Sequence, residues 1–154
     1  MKQIPGGNFK IARKIYDSRL WLKPPLFLRV WIFILGKANH SDNEKNGIVY
    51  KRGELITTYD QIIKGVSYIE NKKRIFPTIK QIRVILAWLE SEKMILVNPL
   101  QALLPTGADP TAHTRAYLGI RIVVINYDTY QRDHNYKGRH RGRPFSPQGH
   151  NNNN

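Results

Sequence analysis

Between positions 78 and 94, apolar residues return every three or four places: Ile79, Ile82, Leu86 and Leu89, with Ile85 beside them. That spacing predicts a helix over 78–93 with a single apolar stripe. Pro77 biases Phe76 toward extended backbone, and Thr78 can accept from the free amides of the first turn, so the helix has a marked start. The opposite face carries Lys80, Val84, Ala87 and Ser91, with Arg83 on its shoulder. It is small in the middle and cationic at its N-terminal end. A helix that enters a DNA major groove needs those properties. An ordinary amphipathic helix with a solvated face has them too.

Two further helices follow from the same periodicity. Over 26–39, Leu26, Phe27, Val30, Trp31, Ile34 and Leu35 form a stripe, and Leu28, Ile32 and Phe33 make the segment apolar nearly all round. Such a helix is expected at the centre of a core. Thr58 can cap a short helix over 59–64, closed by Gly65. Strand-like runs occupy 9–13, 48–50 and 55–57, the last two reading as a hairpin or as one bent edge strand. Residues 95–104 and 114–126 read as a hairpin turning at Pro105-Thr106-Gly107-Ala108-Asp109-Pro110. Polar loops are expected over 40–47 and 66–74. Residues 1–8 read as a flexible start, 9–131 as one domain, and 132–154, rich in Gly, Arg, His and Asn, as a disordered basic tail or linker.

Helix, short strand, helix, helix, hairpin is the order of a winged helix-turn-helix. The sequence therefore predicts an α+β, mostly helical fold. Its second and third helices would form the helix-turn-helix, and the terminal hairpin the wing.

Charge sharpens this picture. The chain of 154 residues has a formal net charge of +14, unevenly spread. Residues 1–37 sum to +7, 72–83 to +5 with no acid, and 132–154 to +4, while 38–71 and 84–131 each sum to −1. Clustered positive charge without acidic relief predicts a polyanionic partner, here double-stranded DNA. An anionic membrane surface would call for large apolar residues facing lipid, a pattern the basic stretches lack. No apolar run is long enough to span a bilayer, the N-terminus lacks a signal-peptide pattern, and there is no cysteine. A reducing, cytoplasmic setting is expected.

The candidate DNA contacts fall into four groups. Thr78, Lys80, Gln81 and Arg83 occupy the first turns of helix 78–93, where Gln can pair with adenine and Arg with guanine. Lys72, Lys73 and Arg74 precede that helix and are expected on phosphates. Arg115 lies on the returning strand of the terminal hairpin, where a solvated role is preferred to a contact with backbone or minor groove. Arg139, Arg141 and Arg143, interleaved with glycine, read as an arm for phosphate or minor groove, or as a solubilising linker. The histidines show no paired ligand spacing, so no metal is expected. No Gly-rich phosphate loop stands in the required strand–helix context, so no cofactor is expected. No nucleophile–base arrangement is evident, so the chain is read as a non-enzyme. Trp21, Trp31 and Trp88 are expected to be structural, with Trp88, off the stripe, a candidate dimer contact.

Several segments, in order, resemble those of phage replisome organisers and DnaD-like primosome proteins, in their N-terminal winged-helix domain. They are Arg13-Lys14-Ile15-Tyr16-Asp17-Ser18 with Trp21, Trp31-Ile32-Phe33-Ile34-Leu35-Gly36-Lys37-Ala38-Asn39-His40, and Lys51-Arg52-Gly53-Glu54-Leu55-Ile56-Thr57. Lys80-Gln81-Ile82-Arg83 with Leu86 and Leu89, and Val124-Ile125-Asn126-Tyr127-Asp128-Thr129-Tyr130-Gln131, complete the set. The resemblance covers about residues 9 to 131. It implies origin-directed DNA binding in phage or prophage replication, as a homo-oligomer, coupled to loading of a replicative helicase through the helicase or its loader. A transcriptional regulator of the same fold, or an oligomerisation module of the primosome, are the alternatives. The family's second DnaD-like domain has no counterpart here. The closing run of Asn resembles the start of a linker, so one module of a longer protein is expected.

Overall fold

The structure is a computed structural model that describes residues 5–105, 107, 111 and 113–132. Two 3-10 turns, Arg13–Asp17 and Arg19–Leu22, lead into helix α1, Pro25–Lys37. Strands β1, Asn43–Lys45, and β2, Ile48–Tyr50, precede β3, Glu54–Thr57. Helix α2 spans Tyr59–Val66, and β4, Tyr68–Glu70, and β5, Lys73–Ile75, separate it from α3, Ile79–Ser91. Strands β6, Ile95–Pro105, and β7, His113–Val124, are followed by the short helix α4, Tyr127–Gln131.

The core forms where α1, α2 and α3 meet each other and a three-stranded antiparallel sheet of order β3-β7-β6. Helix α1 contributes Val30, Trp31, Ile34 and Leu35, and Val30 and Ile34 are wholly shielded from water. Ile62 and Val66 come from α2, and Ile82, Ile85, Leu86 and Leu89 from α3. Ile95, Ile120, Ile122 and Val124 close the core from the sheet. Each fully buried Ile or Leu contributes about 1.5–3 kcal/mol by leaving water. Close helix packing depends on Gly65, inside α2: a Cβ there would fall 2.1 Å from a ring carbon of Phe33 on α1. Arg29, the one charge in the apolar run of α1, reaches across to the end of α2. Its Nε donates to the Val66 carbonyl at 2.8 Å and Nη2 to that of Ser67 at 2.9 Å, supplying donors where a helix end leaves carbonyls unpaired.

The expectation of a mostly helical winged helix-turn-helix is corrected. Among the described residues the chain is α+β, with four α-helices and three antiparallel sheets. No short turn joins α2 to α3. Residues 66–74, expected as a basic loop, instead contribute β4 and most of β5, paired in the register Tyr68↔Ile75, Ile69↔Arg74, Glu70↔Lys73. The turn runs through Asn71 and Lys72, both at positive φ, as a tight two-residue hairpin turn requires. Part of the expected loop at 40–47 is likewise strand: β1 pairs with β2 across Asn46-Gly47, also both at positive φ. The runs 48–50 and 55–57 are therefore not partners of each other. β2 pairs with β1, while β3 pairs with β7 through Glu54↔Val123 to Thr57↔Ile120.

Smaller differences have local causes. Residues 9–12 form no strand; the Lys10 backbone instead exchanges hydrogen bonds with the Gln131 side chain, at 2.9 and 3.0 Å, which ties the N-terminal segment to α4. Gly65 lies within α2 rather than closing it. Trp31 is buried, and Trp88 is half-buried with its ring edge-on to Phe27. Trp21 is exposed, its ring 4.9 Å from that of Tyr16 in a T-shaped pair. Among the described residues no helix is long and apolar enough to cross a membrane.

Candidate nucleic-acid interface

Helix α3 turns its apolar stripe inward, as its periodicity demands. Ile82 and Leu89 are fully buried, while Lys80, Arg83, Val84 and Ala87 stand exposed on the other side. Ile79, placed on the stripe by its spacing, is half exposed at the first turn. The helix begins in a reciprocal cap. The Thr78 Oγ1 accepts the Gln81 N–H at 3.1 Å, and the Gln81 Oε1 accepts the Thr78 N–H at 2.8 Å. The Thr78 hydroxyl lies a further 3.3 Å from the same oxygen. Both lone-pair directions of the Gln81 carbonyl are therefore engaged. Bidentate pairing with adenine needs that oxygen as an acceptor, so Gln81 could read a base only by opening the cap. Thr78 and Gln81 are thus placed as helix-starting residues first.

Arg83 has company that no spacing in the sequence foretold. Its guanidinium carbon lies 5.2 Å from the ring centre of Tyr59, the first residue of α2. Stacking on a ring face leaves the planar edge of the guanidinium open to phosphate or guanine. Tyr117, on β7, belongs to the same group. Burial pushes its phenol above the usual tyrosine range, Tyr59 pushes the same way, and the Arg83 charge opposes both. Between Leu100 and Gln101 the β6–β7 register shifts, leaving Leu118 as the extra residue of a bulge. Beyond the bulge, Arg115 and Tyr117 are two places apart and share a face of β7. Arg115 is exposed, one pleat further out than Tyr117. Gly119 makes the bulge possible: its φ is +134°, and a Cβ there would fall 2.5 Å from the Thr57 carbonyl oxygen.

The three cations before α3 divide. Lys72 occupies the turn of the β4–β5 hairpin and Lys73 starts its return strand; both are exposed. Arg74, exposed like the lysines, is held against the hairpin, its Nε donating to the Ser67 hydroxyl at 2.9 Å and its guanidinium lying over Phe76 at 5.3 Å. Arg74 therefore fixes the base of the hairpin, and the two lysines form its charged tip. Arg139, Arg141 and Arg143 lie outside the described residues.

Four of the described acids are paired with cations elsewhere. Asp60 pairs with Lys64, Glu54 with Arg121, Glu92 with Arg19, and Asp128 with Arg52 and Arg132. Arg52 holds the Asp128 carboxyl below its usual range by direct hydrogen bonding. Among the described residues, none of Lys72, Lys73, Lys80 and Arg83 forms a salt bridge, although Glu70 stands opposite Lys73 in the hairpin register. No protein-family model, curated protein or solved structure matches the chain.

Proposed function

We propose that this chain is a non-enzymatic DNA-binding protein, serving as the DNA-contacting module of a phage or prophage replication initiator. The observation that carries the DNA reading is the run 72–83. It holds five cations and no acid; all five stand exposed and none forms a salt bridge among the described residues, and only Arg74 is committed to a side chain of the protein by a hydrogen bond, to Ser67. Arg19 and Lys64, by contrast, are exposed cations neutralised in place. Lys72 and Lys73 contact phosphates from the β4–β5 tip and set the orientation of the complex. Lys80 and Arg83 meet the duplex along the small-residue face of α3. Arg115 extends the contact outward along β7, and Arg139, Arg141 and Arg143 add phosphate contacts beyond the described residues. The replication setting, with a replicative helicase or its loader as protein partner and self-association of the module, is supported by the ordered resemblance to replisome organisers.

Fluorescence-anisotropy titration tests this reading. The protein is titrated against a random duplex and against the DNA upstream of its own gene, at two salt concentrations. Contacts to several phosphates predict affinity falling by about 10³ or more over a few-fold rise in salt. A sequence reader prefers the upstream duplex at both salts. Binding that is weak, indifferent to sequence and insensitive to salt contradicts the proposal.

A further inference from the structure

A second surface lies at the other end of α3. The turn after α3, the segment from Lys10 to Leu20, helix α1 and the start of α4 enclose a groove of about 360 Å³. Its floor is apolar, built from Ile15, Leu20, Trp31, Leu35 and Met94. A cavity of that size admits a few large side chains. The charged residues around it are Lys10, Lys14, Lys93 and Glu92. Glu92 is already paired, its Oε1 accepting from Arg19 at 2.7 Å, so the net charge offered to an occupant is positive.

Lys93 is held there against backbone preference. The chain leaves α3 through a left-handed residue, with the Lys93 N–H bonded to the Glu90 carbonyl at 2.9 Å and the Met94 N–H to that of Leu89 at 3.0 Å. That closure favours glycine at its left-handed position. Lysine occupies it, at φ +57°, and thereby brings an ammonium group to the groove while Met94 supplies the floor. The 3-10 turns that supply Ile15 and Leu20 to the groove also expose Tyr16, Trp21 and Leu22.

We infer that this groove docks an acidic amphipathic segment of a partner protein, with large apolar side chains on the floor and carboxylates against Lys14 and Lys93. Charge selects this occupant. The basic stretch at 132–154 sums to +4 and a second copy of the chain to +14, so both meet the groove with the wrong sign. Duplex DNA presents phosphates and groove edges with only single methyl groups, not the large apolar side chains that would fill the floor. The 13-residue α3 is about 20 Å long, so the groove and the cationic first turns lie at opposite ends of one rigid element. Both can be occupied at once, and the docking stands independently of the DNA reading.

The test uses the full chain and fluorescein-labelled peptides of about a dozen residues, with Leu and Phe at helical spacing among Asp and Glu. One control replaces the acids by Lys, and another replaces the apolar residues by Ser. The acidic amphipathic peptide binds in a salt-dependent way, and both controls bind at least about tenfold more weakly. Lys14→Glu and Lys93→Gly each weaken binding by about threefold or more. Lys93→Gly is the decisive variant, because glycine suits the left-handed backbone and the variant folds at least as well as the parent. Equal binding of the three peptides, or unchanged binding by Lys93→Gly and Lys14→Glu, overturns the inference. So does sedimentation showing that a second copy closes the groove and that peptide cannot compete.

Discussion

Helices α2 and α3 open with the same four-residue device, Thr-X-X-Gln, and diverge from there. Thr58 and Gln61 exchange side chain and backbone hydrogen bonds at the start of α2 as Thr78 and Gln81 do at the start of α3. Both helices then bury one apolar stripe. On the outside, α2 places Lys64 four residues after Asp60 and pairs them at 2.7 Å. The Asp60–Lys64 arrangement is self-contained and adds only a few tenths of a kcal/mol. Helix α3 places Val84 four residues after Lys80 and Ala87 four after Arg83. Its cations have no internal acid to satisfy them, and the surface beyond them is low and open. Identical starts therefore do not imply equivalent roles. Partners four residues away decide whether a helix face is closed or left for something else.

Matched substitutions in the two helices would break or sharpen that contrast. In the buried stripes the helices should behave alike. Ile62→Ala and Ile82→Ala, both at fully buried positions, should each cost about 2–5 kcal/mol in chemical denaturation. A cost for one but not the other would show that only one helix belongs to the core. On the outer faces they should differ. Arg83→Ala should weaken DNA binding by about 1–3 kcal/mol if it contacts a base, with the loss concentrated on one sequence. Lys64→Ala should change affinity by less than about 0.5 kcal/mol, because its charge is already paired. Equal losses for Arg83→Ala on every duplex would mark a phosphate contact instead.

The caps should again behave alike. Thr58→Ala and Thr78→Ala should each lower stability by about 1 kcal/mol, read from thermal or denaturant midpoints. If Thr78→Ala impaired DNA binding far more than its stability loss explains, Thr78 would also be touching the duplex. The smallest effect is expected at Val84→Ser, within about 0.5 kcal/mol of the parent stability because the residue is more than half exposed.

What the sequence made legible followed from local rules. The stripes of α1 and α3, the Thr58 and Thr78 caps and the terminal hairpin all rest on spacings within a few residues. The small hairpins escaped because their strands carry little apolar alternation: β1 is Asn43-Glu44-Lys45, and β5 is Lys73-Arg74-Ile75. Their signal lay in the turns. Asn46-Gly47 is the strongest short hairpin marker a sequence offers, and Asn71-Lys72 places Asn where φ must be positive. The pairing of β3 with β7 was not legible, since residues far apart in the chain choose each other through the shared core. The same limit applies to the candidate interface. Lys72, Lys73, Lys80 and Arg83 could be named from charge, but the Tyr59 ring under Arg83, and Tyr117, whose phenol feels the Arg83 charge, come from two other elements. Arg74 and Gln81 looked available in the sequence because their partners, Ser67 with Phe76 and the Thr78 backbone, are visible only in three dimensions.

The salt dependence of DNA affinity, compared between the parent and a Lys72→Ala, Lys73→Ala, Lys80→Ala, Arg83→Ala variant, tests the central claim most directly. If the four unpaired cations face phosphates, the slope of log K against log salt should become shallower by roughly 0.9 for each phosphate no longer neutralised, about 3–4 in all. The variant should keep the parent's stability to within about 1 kcal/mol, because all four side chains are exposed. An unchanged slope with unchanged affinity would contradict the account. It would move the DNA contact to other basic stretches and leave the open face of α3 without its assigned role.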